Sequence, residues 1–510
     1  MFIQSIFFIL SFLLTLLFFL YGFNHYYLLN AARHYAPPIL KNASDSRPYV
    51  SIHLPIYDEK YVFRRLLAAC CRMVEAYGIE KVNILVLDDS DDDTVTEIDT
   101  VVEEFVKQHF RIEVVRRETR QGFKAGALQI ALEKTPEDFI AIFDADFAPR
   151  PDFLIRTLPH LVQDERLGIV QSRWGHLNRD FNFLTRGTAI LMDMHFIIEQ
   201  TGRYAAGLFQ NFNGSGGVLR KSAILKAGGW QSDTLAEDLD ISYRMQLLGY
   251  RVLYLKDLQT PGEIPPTMPN HKQQQSRWAC GSLRTARKII PLILPKREMG
   301  FTQRMQAVIH LTGYFLHPLM TLSFILTCIS TFFSFNDQSA VQAYLFLTQN
   351  RVIGTRLPGA IPFLQDSIWF LFVPLIFLCT IAPLISAITT LRIQKLSLSH
   401  NLTSILVLFL IGFGTSLNNT LGAGKGLFSD RHWEWTRTPK YADMKNQAGW
   451  RTNKYKIASN YVWLLELAFA CLGIFAIIHA ISHSNFTALL ILVPFTVAYI
   501  FVSLLTILQS

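Results

Sequence analysis

The chain has 510 residues, half of them hydrophobic, and a mean hydropathy of +0.24. It is too long for one core of ordinary size and too apolar for a soluble enzyme. Its 48 Lys and Arg against 40 Asp and Glu leave a net charge of +8, gathered beside apolar runs as the positive-inside rule expects rather than on a nucleic-acid-binding face. The six cysteines are Cys70, Cys71, Cys280, Cys328, Cys379 and Cys471; with no CxxC pair they argue against a zinc site or a disulfide framework.

Residues 2–22 form the first apolar run. It is longer than a signal-peptide core, lacks a clear small-residue cleavage site, and is followed by Arg33, Lys41 and Arg47. This predicts a retained transmembrane helix within residues 1–30, N-terminus outside, with the chain in the cytosol from residue 30.

Residues 45–295 read as an inserted α/β domain. Val50–Pro55 is a strand, a helix follows from Lys60 to Tyr77, and the apolar run Val82–Leu87 is a buried parallel strand ending at Asp88-Asp89. Helices near 94–108 and from Lys124 flank a strand at Ile112–Val115, and Phe139–Phe143 is the fourth strand, ending at Asp144. Alternating strands and helices predict a Rossmann-like, doubly wound sheet, whose ligands bind beyond the carboxyl ends of the strands. Both acidic motifs lie at such ends. Asp88 and Asp89 are candidates to hold base or ribose, whereas Asp91 to Asp93 suit the dipole of the helix that Thr94 starts. The Gly122–Leu128 stretch opens a helix whose N-terminus favours phosphate, with Lys124 on the nucleotide. Asp144 and Asp146 share one short turn, and hard oxygen ligands at this spacing suit Mg²⁺ or Mn²⁺. Glu237-Asp238 begins a helix; Asp238 is the candidate general base and Glu237 its positioning neighbour. In Gln274-Gln275-Ser276-Arg277-Trp278 the first glutamine and the arginine share a helix face. Arg277 can chelate diphosphate oxygens, and Trp278 offers an indole on which a sugar ring stacks.

Residues 300–510 hold five apolar runs, at 306–332, 367–391, 403–422, 459–481 and 486–508. If all five span, the loop at 423–458 lies outside with eight cations, Lys425 to Lys456, which are costly to translocate. Laying the short, Gly- and Asn-bearing run 403–422 in the interface, or re-entrant, repairs the parity; a spanning 403–422 with another buried segment near 340–362 does so equally. The loop 333–366 is then external and Ser482–Asn485 a tight external hairpin. His310, His317 and Glu466 fall within spans, as channel lining or as packing against polar neighbours. Trp435, Thr438 and Lys440 lie on the basic loop, where they are candidates to close over a nucleotide.

These motifs together resemble the processive family 2 glycosyltransferases, which include cellulose, mannan and xyloglucan-backbone synthases. The stretches Val86–Ser90, Gly122–Gly126, Phe212–Gly217, Gly228–Trp230 and Arg437–Lys440 look nearest to the glucomannan and glucan synthase-like branch and its bacterial relatives. The resemblance implies a GT-A fold and inverting hexosyl transfer. It puts a uridine or guanosine on Asp88 or Asp89, with Tyr57 and Asp58 beside the base. Asp144 and Asp146 would face the metal-bound diphosphate, Asp238 would be the base, and Gln274, Arg277 and Trp278 would hold diphosphate and acceptor end. Trp435–Lys440 resembles a gating loop of the FxVTxK type. Ala236 departs from the usual Thr before Glu-Asp, and no cyclic-di-GMP-type domain is implied. The resulting expectation is a multi-pass membrane enzyme of a bacterial inner membrane, or of eukaryotic Golgi or plasma membrane. It moves hexose from UDP-glucose or GDP-mannose to a growing β-linked polysaccharide and passes the chain through its helices. A single transfer to a lipid acceptor is the alternative, and a non-catalytic nucleotide-binding receptor or transporter the third; partner subunits stay open.

Overall fold

The computed structural model of the protein describes residues 2–40, 47–333, 378, 380–429, 437–440 and 461–510. Helix α1 (Phe2–Ala32) runs past the expected end of its apolar stretch because its later polar side chains find partners in the bundle. Tyr21 Oη donates to Thr312 Oγ1 at 2.9 Å and Tyr26 Oη to the Leu378 carbonyl at 2.6 Å.

The α/β domain opens as the hydrophobic pattern anticipates. β1 (Val50–Ile56), α2 (Lys60–Tyr77), β2 (Val82–Asp88), α3 (Thr94–Val106), β3 (Ile112–Arg116), α4 (Phe123–Lys134) and β4 (Phe139–Ile142) alternate, and these strands pair in parallel in the order β3-β2-β1-β4. The chain continues through α5 (Phe153–Gln163), β5 (Leu167–His176), α6 (Phe183–Met194), a π-helical segment His195–Gln200 and α7 (Thr201–Ala205). It ends in β6 (Gly217–Arg220), α8 (Lys221–Lys226), α9 (Glu237–Leu247) and β7 (Arg251–Gly262). The completed sheet has seven strands in the order β3-β2-β1-β4-β6-β5-β7. It is mixed, because β6 lies antiparallel to both β4 and β5. That reversal brings the chain back across the carboxyl end of β4, where Asp144 N–H donates to Ser215 Oγ at 3.0 Å. One core packs α2 and α5 on one face of the sheet, and a second packs α4, α8 and α9 on the other, as expected when apolar strands must be covered on both sides.

Beyond the sheet come α10 (Met268–Ile293), α11 (Phe301–Leu311), α12 (Leu316–Phe332), α13 (Thr380–Ile393), α14 (Leu402–Gly414), α15 (Ser416–Phe428), α16 (Val462–Ser482) and α17 (Phe486–Leu508). Among the described residues four helices are long and apolar enough to cross a membrane: Ile9–Ala32, Gly313–Phe332, Val462–Ser482 and Phe486–Leu508. They mark a membrane protein. The expected run 306–332 is broken by the turn at Gly313–Phe315, so His310 lies on α11, outside the span, with its Nδ1 2.7 Å from Tyr243 Oη of α9. The run 403–422 bends by 46° between α14 and α15, at Thr415, a geometry of either a broken span or a re-entrant hairpin. The expected hairpin at Ser482–Asn485 is present, with Asn485 Oδ1 accepting from Ala488 N–H at 3.3 Å to cap α17. The loops proposed at 333–366 and 423–458 fall mostly outside the described residues.

Helix α10 joins the two halves. Gly422 and Gly426 of α15 let that helix close on it: a Cβ at either would meet the Ser276 or Cys280 carbonyl at 2.5 or 2.4 Å. Lys272 of α10 pairs with Glu466 of α16 at 2.7 Å, with both side chains at 2% exposure or less. So Glu466 packs against a cationic partner, the second of its two expected roles. Removing one member of such a pair strands a buried charge. Glu466→Gln is expected to cost about 3–5 kcal/mol, read as a lowered unfolding temperature in detergent, while the apolar double variant Lys272→Met/Glu466→Leu regains most of it. An unchanged unfolding temperature in Glu466→Gln would show the pair to be dispensable.

Candidate active site

Segments far apart in the chain converge at the carboxyl edge of the sheet. The loops after β1, β2 and β4, the turn at Asn213-Gly214, the start of α9, one face of α10 and residues 438 and 440 line a cleft of about 190 Å³. Tyr57, Asp89, Lys124, Asp144, Asp146, Glu237, Asp238, Gln274, Arg277, Trp278, Thr438 and Lys440 all border it.

Its electrostatic centre is Lys124. The first turn of α4 carries the ammonium to 2.6 Å from Asp144 Oδ1, 3.0 Å from the Gly214 carbonyl and 3.6 Å from Glu237 Oε1. Burial works against that charge, but Asp144 and Glu237 outweigh it, and the Lys124 pKa is raised. Lys440 plays the same part for Asp146, with its Nζ 2.5 Å from Oδ2 and both side chains at or below 10% exposure. Each carboxylate of the Asp144–Asp146 turn thus carries one ammonium group. Among the described residues no group of three or more His, Cys, Asp or Glu is arranged to hold a metal ion. Two carboxylates on one turn still fit the donor set of a magnesium-type site that draws its other ligands from phosphate and water.

Asp238 opens α9 and accepts from the Leu239 N–H at 2.8 Å. Burial, reinforced by Glu237 and opposed by Lys124, pushes its pKa up to about 7. Arg277 comes from α10 into the same group of carboxylates; burial pulls its pKa down while Glu237 and Asp144 oppose that pull.

Two expected residues lie elsewhere. Asp88 does not border the cleft. The β2–β3 register pairs it with Arg116, whose Nε donates to Oδ2 at 2.8 Å, and the Ser90 N–H donates to its other oxygen at 3.0 Å. Asp58 has a φ of 51° and knits the β1 and β2 loops together: its carboxylate accepts from Asp91 N–H at 3.2 Å, and its own N–H donates to Ser90 Oγ at 2.9 Å. Asp89 is the member of its pair that reaches the cleft, with both oxygens bound by Arg117. Trp435 lies outside the described residues.

The cleft also holds Asn213 of the Phe212–Gly217 stretch, and Glu59 and Arg120, which sequence reasoning passed over. Burial and then the Asp146 carboxylate push the Glu59 pKa up to about 8, against the pull of Lys440 and Arg437. Its only signal was its place beside Tyr57 and Asp58. Arg120 lies four residues before Lys124, with its guanidinium carbon 3.2 Å from the centre of the Tyr57 ring.

Comparison with known proteins matches two family descriptions, Glycosyl transferase family 2 over residues 51–224 and Glycosyl transferase family group 2 over residues 139–412. The probable glucomannan 4-beta-mannosyltransferase 4 of Oryza sativa subsp. japonica is 36% identical over 262 residues, 51% of this chain and 47% of the relative. The glucomannan 4-beta-mannosyltransferase 2 of Arabidopsis thaliana is 35% identical over 269 residues, 52% of this chain and 50% of the relative. The chain therefore spans about half the length of the curated relatives it matches. Among solved structures, the mannosyltransferase PcManGT from Pyrobaculum calidifontis, in complex with GDP-Man and Mn²⁺, aligns with 75% of this chain and 98% of its own, at 20% identity and a TM-score of 0.47. With a family match over more than half its length and a mixed GT-A-type sheet whose carboxyl edge gathers the acidic motifs, the chain belongs to glycosyl transferase family group 2.

Proposed function

We propose that the protein is an inverting hexosyltransferase that uses a nucleotide sugar to extend a β-linked polysaccharide. The observation that carries the reading is the meeting of Asp238 with Arg277, Trp278 and the Asp144–Asp146 turn in one cleft. In the proposed reaction an acceptor hydroxyl attacks the anomeric carbon from the side opposite the diphosphate. The new carbon–oxygen bond forms as the bond to diphosphate breaks, so the configuration inverts. Asp238 takes the hydroxyl proton, and Arg277 and Lys124 take up negative charge developing on the leaving diphosphate. Trp278 and Gln274 hold the acceptor sugar. Tyr57 and Asp89 take the nucleoside side of the donor.

The residues that border the cleft include seven carboxylates, among them Glu59 and Glu263, and four Lys or Arg. A diphosphate would add to that negative excess, which supports a divalent cation, Mg²⁺ or Mn²⁺, on Asp144 and Asp146. When bound, such an ion offsets the charge of the diphosphate. Lys124 and Lys440 then give way at those oxygens, which fits Thr438 and Lys440 as part of a loop that opens and closes over the donor. The apolar helices and the basic residues beside them favour a cytosolic cleft, with the product leaving through the bundle.

Gly214 guards the base. At its φ of +81°, a Cβ would sit 2.9 Å from Asp238 Oδ2 and 3.3 Å from the Lys124 ammonium. Gly214→Ala is expected to lower turnover about a hundredfold by displacing the carboxylate, with the unfolding midpoint shifted little; full turnover would show that the position tolerates a side chain.

Asp238→Asn is expected to keep nucleotide-sugar binding and lose about a hundred- to ten-thousandfold in turnover. A base works in its ionised form, and burial has raised this one to about 7. Wild-type kcat/KM should therefore fall as pH drops through neutrality, not near 4 as for an exposed carboxylate. Unchanged turnover in the variant would remove Asp238 from the base role. A panel of nucleotide sugars with Mg²⁺ or Mn²⁺, read for both diphosphate release and product size, tests the whole reading; one hexose on a lipid would replace polymerisation by single transfer.

A further inference from the structure

The turn Asn213-Gly214-Ser215 touches three groups of the cleft at once. The Gly214 carbonyl accepts from Lys124 Nζ at 3.0 Å, Ser215 Oγ accepts from the Asp144 N–H at 3.0 Å, and a Cβ at Gly214 would lie 2.9 Å from Asp238 Oδ2. Among the described residues these three make no backbone–backbone hydrogen bond. Side chains hold the turn instead. Gln171 Oε1 accepts from the Asn213 N–H at 3.1 Å, Trp174 Nε1 donates to the Ser215 carbonyl at 3.0 Å, and Asn213 Oδ1 lies 3.1 Å from His195 Nε2. Asn211 Nδ2 donates to the same Oδ1 at 2.8 Å, which marks that atom as an acceptor.

His195 opens the π-helical segment, a helix form found mostly as single turns and often at functional sites. Its Nδ1 lies 3.0 Å from Glu199 Oε2. With an acceptor at each nitrogen, the ring satisfies both only by donating on both sides. Glu199 is held in turn. Its other oxygen accepts from Arg203 Nε at 3.2 Å and lies 3.8 Å from His310 Nε2 of α11. Burial works against the Glu199 charge, but His195, His310 and Arg203 outweigh it and hold the carboxyl well below the usual range. Arg203, fully buried, donates to the Phe209 carbonyl at 3.1 Å and to the Gln306 carbonyl of α11 at 3.2 Å. Neither His195 nor Glu199 borders the cleft.

We propose that His195 is a positioning residue: braced by Glu199, it holds Asn213 so that Gly214 keeps the Lys124 ammonium and the Asp238 carboxylate in place. The inference rests on the hexosyl-transfer reading above. Asn213 and Gly214 are adjacent in the chain, so a slide of the first carries the carbonyl and Cα of the second. A displacement of about 1 Å at a reacting group costs about a hundredfold in rate. Tyr57 and Asp89 follow β1 and β2, whereas the braced turn leads into β6, on the other side of β4. Loss of the brace therefore slows the chemical step and leaves the nucleoside half of the donor bound as before.

The test is the initial rate of nucleoside diphosphate release by the purified full chain, with whichever nucleotide sugar of a panel wild type consumes fastest. Calorimetric binding of the matching nucleoside diphosphate in Mg²⁺ and the unfolding midpoint are read alongside. His195→Leu is expected to lose about ten- to a hundredfold in kcat, with donor KM and nucleoside diphosphate affinity each changed less than about twofold. His195→Gln places an amide donor where Nε2 stood and should recover most of kcat. His195→Asn places one where Nδ1 stood, reaches Glu199 alone, and should not. If the leucine variant fails to fold, the comparison of glutamine with asparagine decides. Wild-type kcat in His195→Leu, or equal kcat in the Gln and Asn variants, would overturn the proposal while the hexosyl-transfer reading stands. A fall in kcat matched by lost nucleotide affinity and a lowered unfolding midpoint would make His195 a residue that merely holds the fold, and would overturn it too. A wild type that consumes no nucleotide sugar would overturn both the proposal and the reading beneath it.

Discussion

The cleft depends on how its buried carboxylates are neutralised. Asp144, Asp146, Glu59, Glu237 and Asp238 crowd one end of the sheet, and like charges this near cannot all remain ionised without counter-charge. The fold answers in two ways. Lys124 and Lys440 supply charge directly to the Asp144–Asp146 turn. Where no ammonium is in direct contact, at Asp238 and Glu59, burial raises the pKa into the neutral range. Burial, with the same crowding that concentrates negative charge at the turn, raises the Asp238 carboxyl to about 7. The Asp144–Asp146 turn and Asp238 are thus subject to one electrostatic constraint, tied by a single lysine that also binds the Gly214 carbonyl.

Much of this was legible in the sequence, for identifiable reasons. The apolar runs Val82–Leu87 and Phe139–Phe143 can only be buried strands, and a carboxylate pair at the end of each is then placed by topology alone. The Gln274–Trp278 stretch is specific enough in residue type to be read without a structure. Choosing between Asp88 and Asp89 was another matter. That choice turns on the register of β2 against β3, which sets Asp88 opposite Arg116; no local pattern carries such a pairing. The turn of Asp58 toward the β2 loop was not legible, because its positive φ is not a property of its letter. Lys440 against Asp146 is a contact across 294 positions, visible to sequence reasoning only as a loop with a useful cation. In the membrane half, hydropathy ran 306–332 together because Thr312–Phe315 is apolar enough to continue a span. The break there follows from α11 docking on α9 through His310 and Tyr243.

The partition between soluble and membrane halves is bridged by α10. Its middle presents Gln274, Arg277 and Trp278 to the cleft, while its earlier turn is pinned to α16 by Lys272 and to α15 by the Asn418 amide, which donates to the Lys272 carbonyl at 2.9 Å. The contacts of Gly422 and Gly426 with the Ser276 and Cys280 carbonyls leave no room for the two helices to slide sideways. Side chains in the cleft and side chains in the bundle are thus fixed to one rigid rod.

That rigidity bears on what can move at the cleft. If Trp278 stood on a loop, its position would be independent of the apolar helices. Here Trp278 lies six residues from Lys272, less than two turns along one helix, and Lys272 is ion-paired to α16. A shift of α16 against α10 that parts this pair would strand a buried charge, at a cost of about 3–5 kcal/mol. On the other side of the cleft Thr438 and Lys440 reach the Asp144–Asp146 turn through one ammonium–carboxylate contact, and the Glu59 and Glu263 carboxylates also act on that ammonium.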